Sequence, residues 1–291
     1  MFLSLFNKQT AGHCVIFLLL ISISSCGEND NTPATPSSQV EPAIAPITTG
    51  NWYKPALGST WQWQLTGTIN TNYNVNIYDI DLFDSPVQLI QTLQAQGKRV
   101  ICYFSAGSYE SWRSDKSQFL INELGNSLAN WQGERWLDIR SPNVQAIMAS
   151  RLDLAVQKGC DGVEPDNVDG YMNNSGFNLT ANDQLVFTRF IANQAHTRGL
   201  AVGLKNNLHQ VNELHSYFDF AVNEQCYEYQ ECELLTPFIN NNKAVFHVEY
   251  NSKYSNGSAE LNNMCDDAIN RQFNTLVLPI NLDDEFRISC L

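Results

Sequence analysis

The stretch 143-NVQAIMASRLDLAVQKGCDGVEPDNVD-169 joins a helix pattern to a strand pattern and ends in a dense group of acids. Residues 143–157 have helical periodicity, Gly159 follows as a helix stop, and 162–165 is a short strand signal. Helix patterns at 86–95 and 182–196 are likewise followed by glycine and then by a strand pattern. This alternation is typical of a parallel α/β fold.

Strand patterns of this kind recur along most of the chain. The candidates are 61–65, 77–80, 99–104, 135–139, 162–165, 201–204, 218–222, 245–249 and 275–280. Nine candidates predict a single-domain TIM-type (β/α)8 barrel, with one element misassigned or outside the barrel. A doubly wound parallel sheet is the alternative.

The first 50 residues have the composition of an export signal and a tether. Lys8 precedes the apolar run 15–23, which is too short to span a bilayer, and small residues lead to Cys26. This ending resembles a lipoprotein signal, so we expect residues 1–26 to be the signal and Cys26 to be lipidated. A plain secretory signal is the alternative. Residues 27–50 are rich in Pro, Thr, Ser and Asn and predict a tether, which leaves 51–291 for the barrel.

The charge balance limits the partners of the chain. Seventeen basic residues stand against 30 acidic ones, for a net charge of −13. Such a balance repels nucleic acid and anionic lipid headgroups, and it suits a neutral or cationic ligand. We therefore expect no nucleic-acid partner, a membrane contact only through the anchor at Cys26, and a monomer.

An even number of cysteines in an exported domain favours disulfides over metal. Six remain after the signal and Cys26 are set aside. The short loops 226–232 and 265–290 suggest two pairs and leave Cys102 for Cys160, although other pairings stay open. No paired spacing of the zinc type is present, and we expect neither metal nor cofactor.

Polar side chains gather where the candidate strands end. Glu164 and Asp166 share one strand face, and Glu224 shares a face with the apolar residues of 218–222. Other polar residues near strand ends are Asp79, Asp138, Lys205, Asn206 and Glu249. Because active sites of such barrels lie at the carboxyl ends of the strands, the sequence predicts a carboxylate-lined cleft. A solvated acidic loop or a calcium-type oxygen cage is the alternative for 161–169.

Two acids on different strands are the minimum apparatus for cleaving a glycosidic bond. Aromatic residues near the strand ends offer flat apolar surfaces for sugar rings, with packing in the core or loops as the alternative. These residues are Tyr103, Tyr109, Trp112, Tyr171, Tyr227 and Tyr250.

Six blocks of the sequence, in order, resemble glycoside hydrolase family 114, the endo-α-1,4-polygalactosaminidase family. They are 102-CYFSAGS-108, 136-WLDIR-140, 161-DGVEPDN-167, 203-GLKN-206, 223-NEQC-226 and 247-HVEY-250. The resemblance implies a TIM barrel that cleaves α-1,4-linked galactosamine polymers, cationic or partly acetylated, by a retaining route. We expect such an enzyme to act on an exopolysaccharide of a biofilm or capsule.

By its motifs, the resemblance places the catalytic acids at Asp166 and Glu224, the two that strand parity also selects. We expect Asp166 to be the nucleophile and Glu224 the acid/base, with the reverse roles as the alternative. The expected substrate-binding residues are Asp79, Tyr103, Trp112, Asp138, Glu164, Asn167, Lys205, Asn206, Glu249 and Tyr250. For Glu164, a structural or pKa-tuning role is the alternative.

Two other function classes stay open. A barrel that only binds glycan would be expected to lack one of the two acids, and both are present. A metal-dependent deacetylase would need ligand histidines on several strand ends, where the sequence supplies only His247.

Overall fold

The computed structural model describes residues 44–291. The predicted signal 1–26, Cys26 and most of the predicted tether lie outside these residues. Within 44–291, no helix is both long enough and apolar enough to cross a membrane. The segment just before residue 51, which we assigned to the tether, contacts the domain: the Ile47 amide donates to Asn193 Oδ1 at 2.9 Å, and Tyr217 donates its hydroxyl to the Ile44 carbonyl at 2.5 Å.

The described residues contain two sheets and seven α-helices. The strands are β1 Trp61–Gln64, β2 Ile77–Asp81, β3 Arg99–Ser105, β4 Ser108–Glu110, β5 Leu124–Ser127, β6 Glu134–Leu137, β7 Gly162–Asp166, β8 Ala201–Lys205, β9 Phe220–Glu224, β10 Val245–Glu249, β11 Phe273–Val277 and β12 Ile288–Ser289. The helices are α1 Val87–Ala95, α2 Pro142–Lys158, α3 Ala181–Thr197, α4 Val211–Leu214, α5 Cys226–Tyr229, α6 Thr236–Asn240 and α7 Ala259–Asn270.

The larger sheet is curled and has the strand order β1-β2-β3-β7-β8-β9-β10-β11-β12. Neighbouring strands from β1 to β11 pair in parallel, and the two-residue β12 pairs antiparallel with β11. The strands thus follow chain order, without the reversal that a doubly wound sheet contains. The predicted α/β fold is confirmed.

The first and last parallel strands approach each other without a shared ladder in the described residues. The Trp61 indole donates to the Asn274 carbonyl at 2.9 Å, and the Leu65 amide donates to the Leu282 carbonyl at 3.0 Å. Side-chain and loop hydrogen bonds therefore join the two edges of the sheet. Complete closure as a (β/α)8 barrel stays a prediction.

The predicted strand 135–139 does not belong to the larger sheet. Its counterpart β6 lies between β4 and β5 in a separate three-stranded antiparallel sheet, while β3 pairs directly with β7. Arg135 shows why the segment suits this place, because its guanidinium donates to the carbonyls of Leu124 and Gly125 on β5. The element outside the barrel is therefore the fourth candidate, and Asp138 does not end a strand of the larger sheet.

The interior of the curled sheet contains aromatic side chains packed together with aliphatic ones. The rings of Trp61 and Phe246 are 5.0 Å apart, and those of Phe220 and Phe246 are 5.6 Å apart. Gly203 makes room for this packing, because a Cβ there would lie 2.3 Å from the Phe220 ring. Aliphatic residues of the opposite strand faces pack against the helices.

Three disulfides link parts of the described chain. The pairs are Cys102–Cys160, Cys226–Cys232 and Cys265–Cys290, which confirms the predicted pairing. The first joins β3 to the residues that lead into β7, and the second closes the loop after β9. Both β7 and β9 end in predicted catalytic acids, so these two links tie down the segments beside the expected cleft.

Candidate active site

A cavity of about 610 Å³ opens at the carboxyl ends of β7, β8 and β9. Its charged lining consists of four acids and one lysine: Glu134, Asp166, Asp169, Glu224 and Lys205. Each of β7, β8 and β9 ends in one of these residues, namely Asp166, Lys205 and Glu224. Three adjacent parallel strands thus bring two carboxylates and an ammonium group to one edge of the sheet.

The backbone turns sharply after each of these three strands. The next residue has a left-handed conformation in every case: Asn167 (φ 59°), Asn206 (φ 46°) and Gln225 (φ 61°). Asparagine adopts this region more readily than most residues, and such conformations cluster at functional sites. The turns direct the side chains of Asn167 and Asn206 back toward the two acids, as their hydrogen bonds show.

Lys205 connects the two predicted catalytic acids. Its Nζ lies 3.1 Å from Asp166 Oδ1 and 3.2 Å from Glu224 Oε2. Burial disfavours the charged ammonium, but the carboxylates of Asp166 and Glu224 outweigh that cost and raise the Lys205 pKa well above its usual value. The lysine therefore stays charged and holds both acids at fixed positions.

Asp166 is oriented by hydroxyl and amide donors as well. The Tyr103 hydroxyl donates to Asp166 Oδ2 at 2.9 Å, and Asn167 Nδ2 lies 3.5 Å from the same oxygen. Asn167 is itself held by Ser105, whose Oγ accepts from Nδ2 at 2.9 Å. Donors thus engage both carboxylate oxygens, which fixes the plane of the group.

Glu224 has a separate set of partners. Asn206 Nδ2 donates to Glu224 Oε2 at 3.0 Å, and the Tyr250 hydroxyl donates to Oε1 at 2.5 Å. Asn206 also accepts the backbone amide of Glu224 at 2.9 Å, so one side chain positions both the strand end and its carboxylate. Among the described residues, Lys205 is thus the one close partner that the two acids share.

A buried acid pair lies beneath these groups. Asp79 and Glu164 are 1% and 0% exposed, and no side chain of the described residues donates to either Glu164 oxygen. Burial, together with the nearby Asp79 carboxyl, raises the Glu164 pKa well above its usual value, and burial raises the pKa of Asp79 to about 7. Lys205 Nζ also lies 3.5 Å from Glu164 Oε1, and a proton shared between Glu164 and Asp79 would remove the repulsion between these two buried carboxyl groups.

We expect Glu164→Gln to keep polysaccharide hydrolysis within about threefold of wild type, because an amide can still donate to Asp79. Glu164→Leu removes that donor and is expected to lower the free energy of unfolding by about 2 kcal/mol. Urea denaturation and initial hydrolysis rates for both variants are the measurements. An equal loss of activity in the two variants would contradict a neutral Glu164.

Two further acids of the cavity were not among our predicted site residues. Asp169 belongs to the acidic run 161–169, and Glu134 comes from the smaller sheet. Burial and the charge of Asp166 raise the pKa of Asp169 to about 6. Burial raises the pKa of Glu134 to about 7, although Ser108 donates to its Oε2 at 2.7 Å.

The raised pKa of Asp169 predicts a pH-dependent stability. The group is neutral in both folded and unfolded chains well below its usual pKa of 3.8, and ionised in both well above 6. The folded state therefore loses stability as pH rises through this window. Because asparagine cannot ionise, we expect the stability advantage of Asp169→Asn over wild type to grow by about 1–2 kcal/mol from pH 4 to pH 8, after allowance for solvent screening in the cavity. Urea titrations at both pH values measure it, and a constant difference would contradict the shift.

Most of the predicted substrate-binding residues come together. Those that line the cavity are Tyr103, Asn167, Lys205, Asn206 and Tyr250. Asp79 and Glu164 lie below them, fully buried. The structure also adds three tryptophans to the lining that we did not predict: Trp63, Trp131 and Trp136. No sequence motif marks these tryptophans as site residues, because they reach the cavity from β1 and from the smaller sheet.

Besides the buried Asp79 and Glu164, three predicted substrate-binding residues lie outside the cavity lining. Asp138 forms an ion pair with Arg140 at 2.7 Å, which together with its hydrogen bonds lowers the Asp138 pKa. Glu249 faces the helix layer, where its Oε1 accepts the Tyr227 amide of α5 at 2.9 Å. Trp112 is half exposed and packs beside Gly133 of the smaller sheet. Strand parity explains why Glu249 faces outward, because its neighbours Val248 and Tyr250 occupy the inward face.

His247 shares the outward face of Glu249. Its Nε2 lies 3.3 Å from Glu249 Oε1, and its Nδ1 lies 3.2 Å from Thr275 Oγ1. The ring is fully buried between β10, β11 and α5 rather than in the cavity. The histidine that we considered for metal binding is thus a core residue.

Comparisons with known proteins identify the family of the chain. The family model for glycoside hydrolase family GH114 matches residues 42–291. An uncharacterized protein of Deinococcus radiodurans is 30% identical over 175 residues, which are 53% of this chain and 55% of that protein. The chain therefore spans about half the length of that relative.

Two solved structures are similar to the whole domain. The crystal structure of Aspergillus fumigatus Ega3 in complex with galactosamine is 44% identical, with a TM-score of 0.78, and covers 83% of this chain and 100% of its own. The glycoside hydrolase domain of PelA from Pseudomonas aeruginosa is 11% identical, with a TM-score of 0.62 over 79% of this chain and 98% of its own, and shows the shared fold. Given the family match over all described residues, the chain belongs to glycoside hydrolase family 114 and is a glycoside hydrolase.

Proposed function

We propose that this enzyme is an endo-acting hydrolase of α-1,4-linked galactosamine polymers, cationic or partly N-acetylated. The observation that carries the proposal is that Asp166, Lys205 and Glu224 end three neighbouring strands, and that Lys205 contacts both acids. The similarity to Ega3, which was crystallised with galactosamine, supports the choice of sugar.

The charge of the cavity supports a cationic substrate. Four acids and one lysine line it, and the acids therefore outnumber the cation even when some are protonated. An ammonium group of an unacetylated sugar can pair with Asp169, whereas an anionic sugar would meet repulsion. The net charge of −13 acts in the same direction over longer distances.

In the proposed mechanism, an Asp166 oxygen attacks the anomeric carbon while Glu224 donates its proton to the leaving glycosidic oxygen. The carbon–oxygen bond to the leaving sugar breaks and a covalent glycosyl–Asp166 ester forms. Water then attacks the same carbon, gives its proton to Glu224 and releases Asp166. Hydrolysis by two such steps retains the anomeric configuration.

The spacing of the two acids supports this retaining route. Asp166 Oδ1 and Glu224 Oε2 both contact Lys205 Nζ, at 3.1 Å and 3.2 Å. One oxygen of each acid therefore contacts the same ammonium group, which keeps the two carboxyl groups close together, as a retaining pair requires. Retaining enzymes separate their carboxyl groups by about 5–5.5 Å.

We extend the proposal to the organisation of the chain. Residues 51–291 form the catalytic domain, a complete (β/α)8 barrel that acts as a monomer on exopolysaccharide. Residues 27–50 tether it, and the lipoprotein-type signal 1–26 exports it and leaves it anchored to the cell envelope at Cys26. The run of small residues before Cys26 and the tether composition support this order.

The test of the proposed function is the product mixture. Fully deacetylated and partly acetylated α-1,4-galactosamine oligomers are incubated with the enzyme, and products are followed by mass spectrometry and by NMR of the anomeric protons. We expect internal cleavage with α-anomers formed first, and none with the Asp166→Asn, Glu224→Gln double variant. If neither oligomer is cleaved, the proposal is overturned. Release of acetate from intact chains would favour a deacetylase.

A further inference from the structure

We propose that the loop between β5 and β6, residues 128–133, builds a second sugar-binding subsite of the cavity, in which an uncharged, N-acetylated unit of the polymer stacks on Trp131. This inference rests on the proposed function, because it names a preference of the same enzyme. It concerns residues of the smaller sheet rather than the strand ends that carry Asp166 and Glu224.

Trp131 is the residue that points to a ligand. It lines the cavity, yet 53% of its surface is exposed. No ring of the described residues stacks on it, although indoles elsewhere in the domain have ring partners such as His196 for Trp52. A large apolar surface left open at a cavity suits the apolar face of a sugar ring.

The loop that carries Trp131 is firmly held. The Leu128 amide donates to the Glu134 carbonyl at 3.1 Å, and the Glu134 amide donates to the Trp131 carbonyl at 3.2 Å. Gly133 has a φ of 93°, and a Cβ there would lie 3.0 Å from the Trp112 ring. Trp112 therefore supports this loop from outside the cavity, which explains its partial exposure. A supported indole loses little freedom when a ligand stacks on it.

The surroundings of Trp131 are polar but uncharged. Asn126, Ser127, Asn173 and Asn174 line the same cavity, and Asn126 Nδ2 donates to the Asn174 carbonyl at 3.1 Å. This bond joins the smaller sheet to the loop after β7. Amides can bind sugar hydroxyls and the acetamido group, since they both donate and accept hydrogen bonds.

An ammonium group finds no ionic partner on this wall. None of the lining residues in 126–131 or 173–174 is charged, so a cationic sugar gains no charge-assisted hydrogen bond there. Glu134 is the nearest acid along the chain, and its carboxyl is engaged by Ser108. Asp166, Asp169 and Glu224 come from the strand ends and the turn after β7. The cavity thus has an acidic part for cationic units and an uncharged part for acetylated ones.

Kinetics on three substrates test the inference. Trp131→Leu keeps an apolar side chain without the flat ring, Trp131→Phe keeps a ring, and Tyr229→Leu removes an exposed aromatic residue outside the cavity lining as the control. The substrates are a long partly acetylated polymer, a long deacetylated polymer and a short deacetylated oligomer. We expect Trp131→Leu to lower kcat/KM about tenfold on the partly acetylated polymer, mainly through KM, and less than about twofold on the other two.

Trp131→Phe and Tyr229→Leu are expected to stay within about threefold of wild type on every substrate. An equal loss of kcat/KM on all three substrates in Trp131→Leu, or no loss on the partly acetylated polymer, would overturn the inference. Circular dichroism of each variant shows whether the domain is still folded. If Trp131→Leu unfolds, Trp131→Gln, measured in the same way, takes its place.

A binding measurement separates this inference from the proposed function. Oligomers of N-acetylgalactosamine are titrated calorimetrically into the Asp166→Asn variant with and without Trp131→Leu. We expect Kd to rise about tenfold with Trp131→Leu. Such a rise in a protein that cleaves no galactosamine polymer would leave the subsite in place and overturn the proposed function. If wild type cleaves the galactosamine polymer but Trp131→Leu leaves Kd unchanged, the proposed function stands and the subsite is overturned.

Discussion

Asp166→Ala is expected to reduce hydrolysis of the galactosamine polymer by at least about a thousandfold, because it removes the group that attacks the anomeric carbon. The loss should appear in kcat, since Lys205, Glu224 and the cavity walls remain available to bind the substrate. Initial rates at saturating polymer measure it. Asp153→Asn is the matched control, since it changes an exposed acid that pairs with Arg198 on the surface.

Azide distinguishes a missing nucleophile from general damage. In Asp166→Ala the small anion can occupy the vacated space, attack the anomeric carbon and displace the leaving sugar, to which Glu224 gives its proton. The product is then a β-glycosyl azide, inverted relative to the α-linked substrate. An α-glycosyl azide from this variant, or rates within tenfold of wild type without azide, would contradict the role given to Asp166.

Glu224→Gln is expected to have the second largest effect, a loss of about a hundredfold to ten-thousandfold on the natural polymer. The amide keeps the contacts to Asn206 and Tyr250 but has no proton to give to the leaving oxygen. An aryl glycoside with a good leaving group does not need that proton. We therefore expect its first cleavage step to stay within about tenfold of wild type, measured as a burst of phenolate.

The same variant should accumulate the glycosyl ester on Asp166, because no base activates water in the second step. Mass spectrometry of the intact protein after mixing with the aryl substrate detects it as one added sugar mass. Azide should then release an α-glycosyl azide, the opposite configuration from that expected with Asp166→Ala. A β-azide from Glu224→Gln would mean that the two acids have exchanged roles.

The positions of Asp166 and Glu224 show what the periodicity of a sequence can predict. A strand alternates its side chains with a period of two, so residues of one parity share a face whatever the rest of the fold does. Glu164 and Asp166 follow that rule, and Glu224 follows it with Phe220 and Val222. The parallel order of the strands then placed both catalytic candidates at one edge.

The same rule gave a wrong prediction where the wrong face of a strand was assigned to the interior. Glu249 ends a real strand, but Phe246 and Val248 fill the interior and turn Glu249 toward α5. Asp138 follows a real strand as well, one that pairs in another sheet. Periodicity states which residues share a face, whereas only packing states which face is inside and which strands are neighbours.

The sequence by itself determined the α/β alternation and the two acids of the proposed reaction, because each depends on a short-range pattern or on motif order. It suggested the disulfide pairs but left other pairings open. The tertiary structure alone decided that Lys205 joins those acids, that Asp79 and Glu164 share a buried site, and that Glu134 and Trp131 reach the cavity from the smaller sheet. These are contacts between residues far apart in the chain. Their distances depend on how strands and loops pack, and no local pattern encodes that packing.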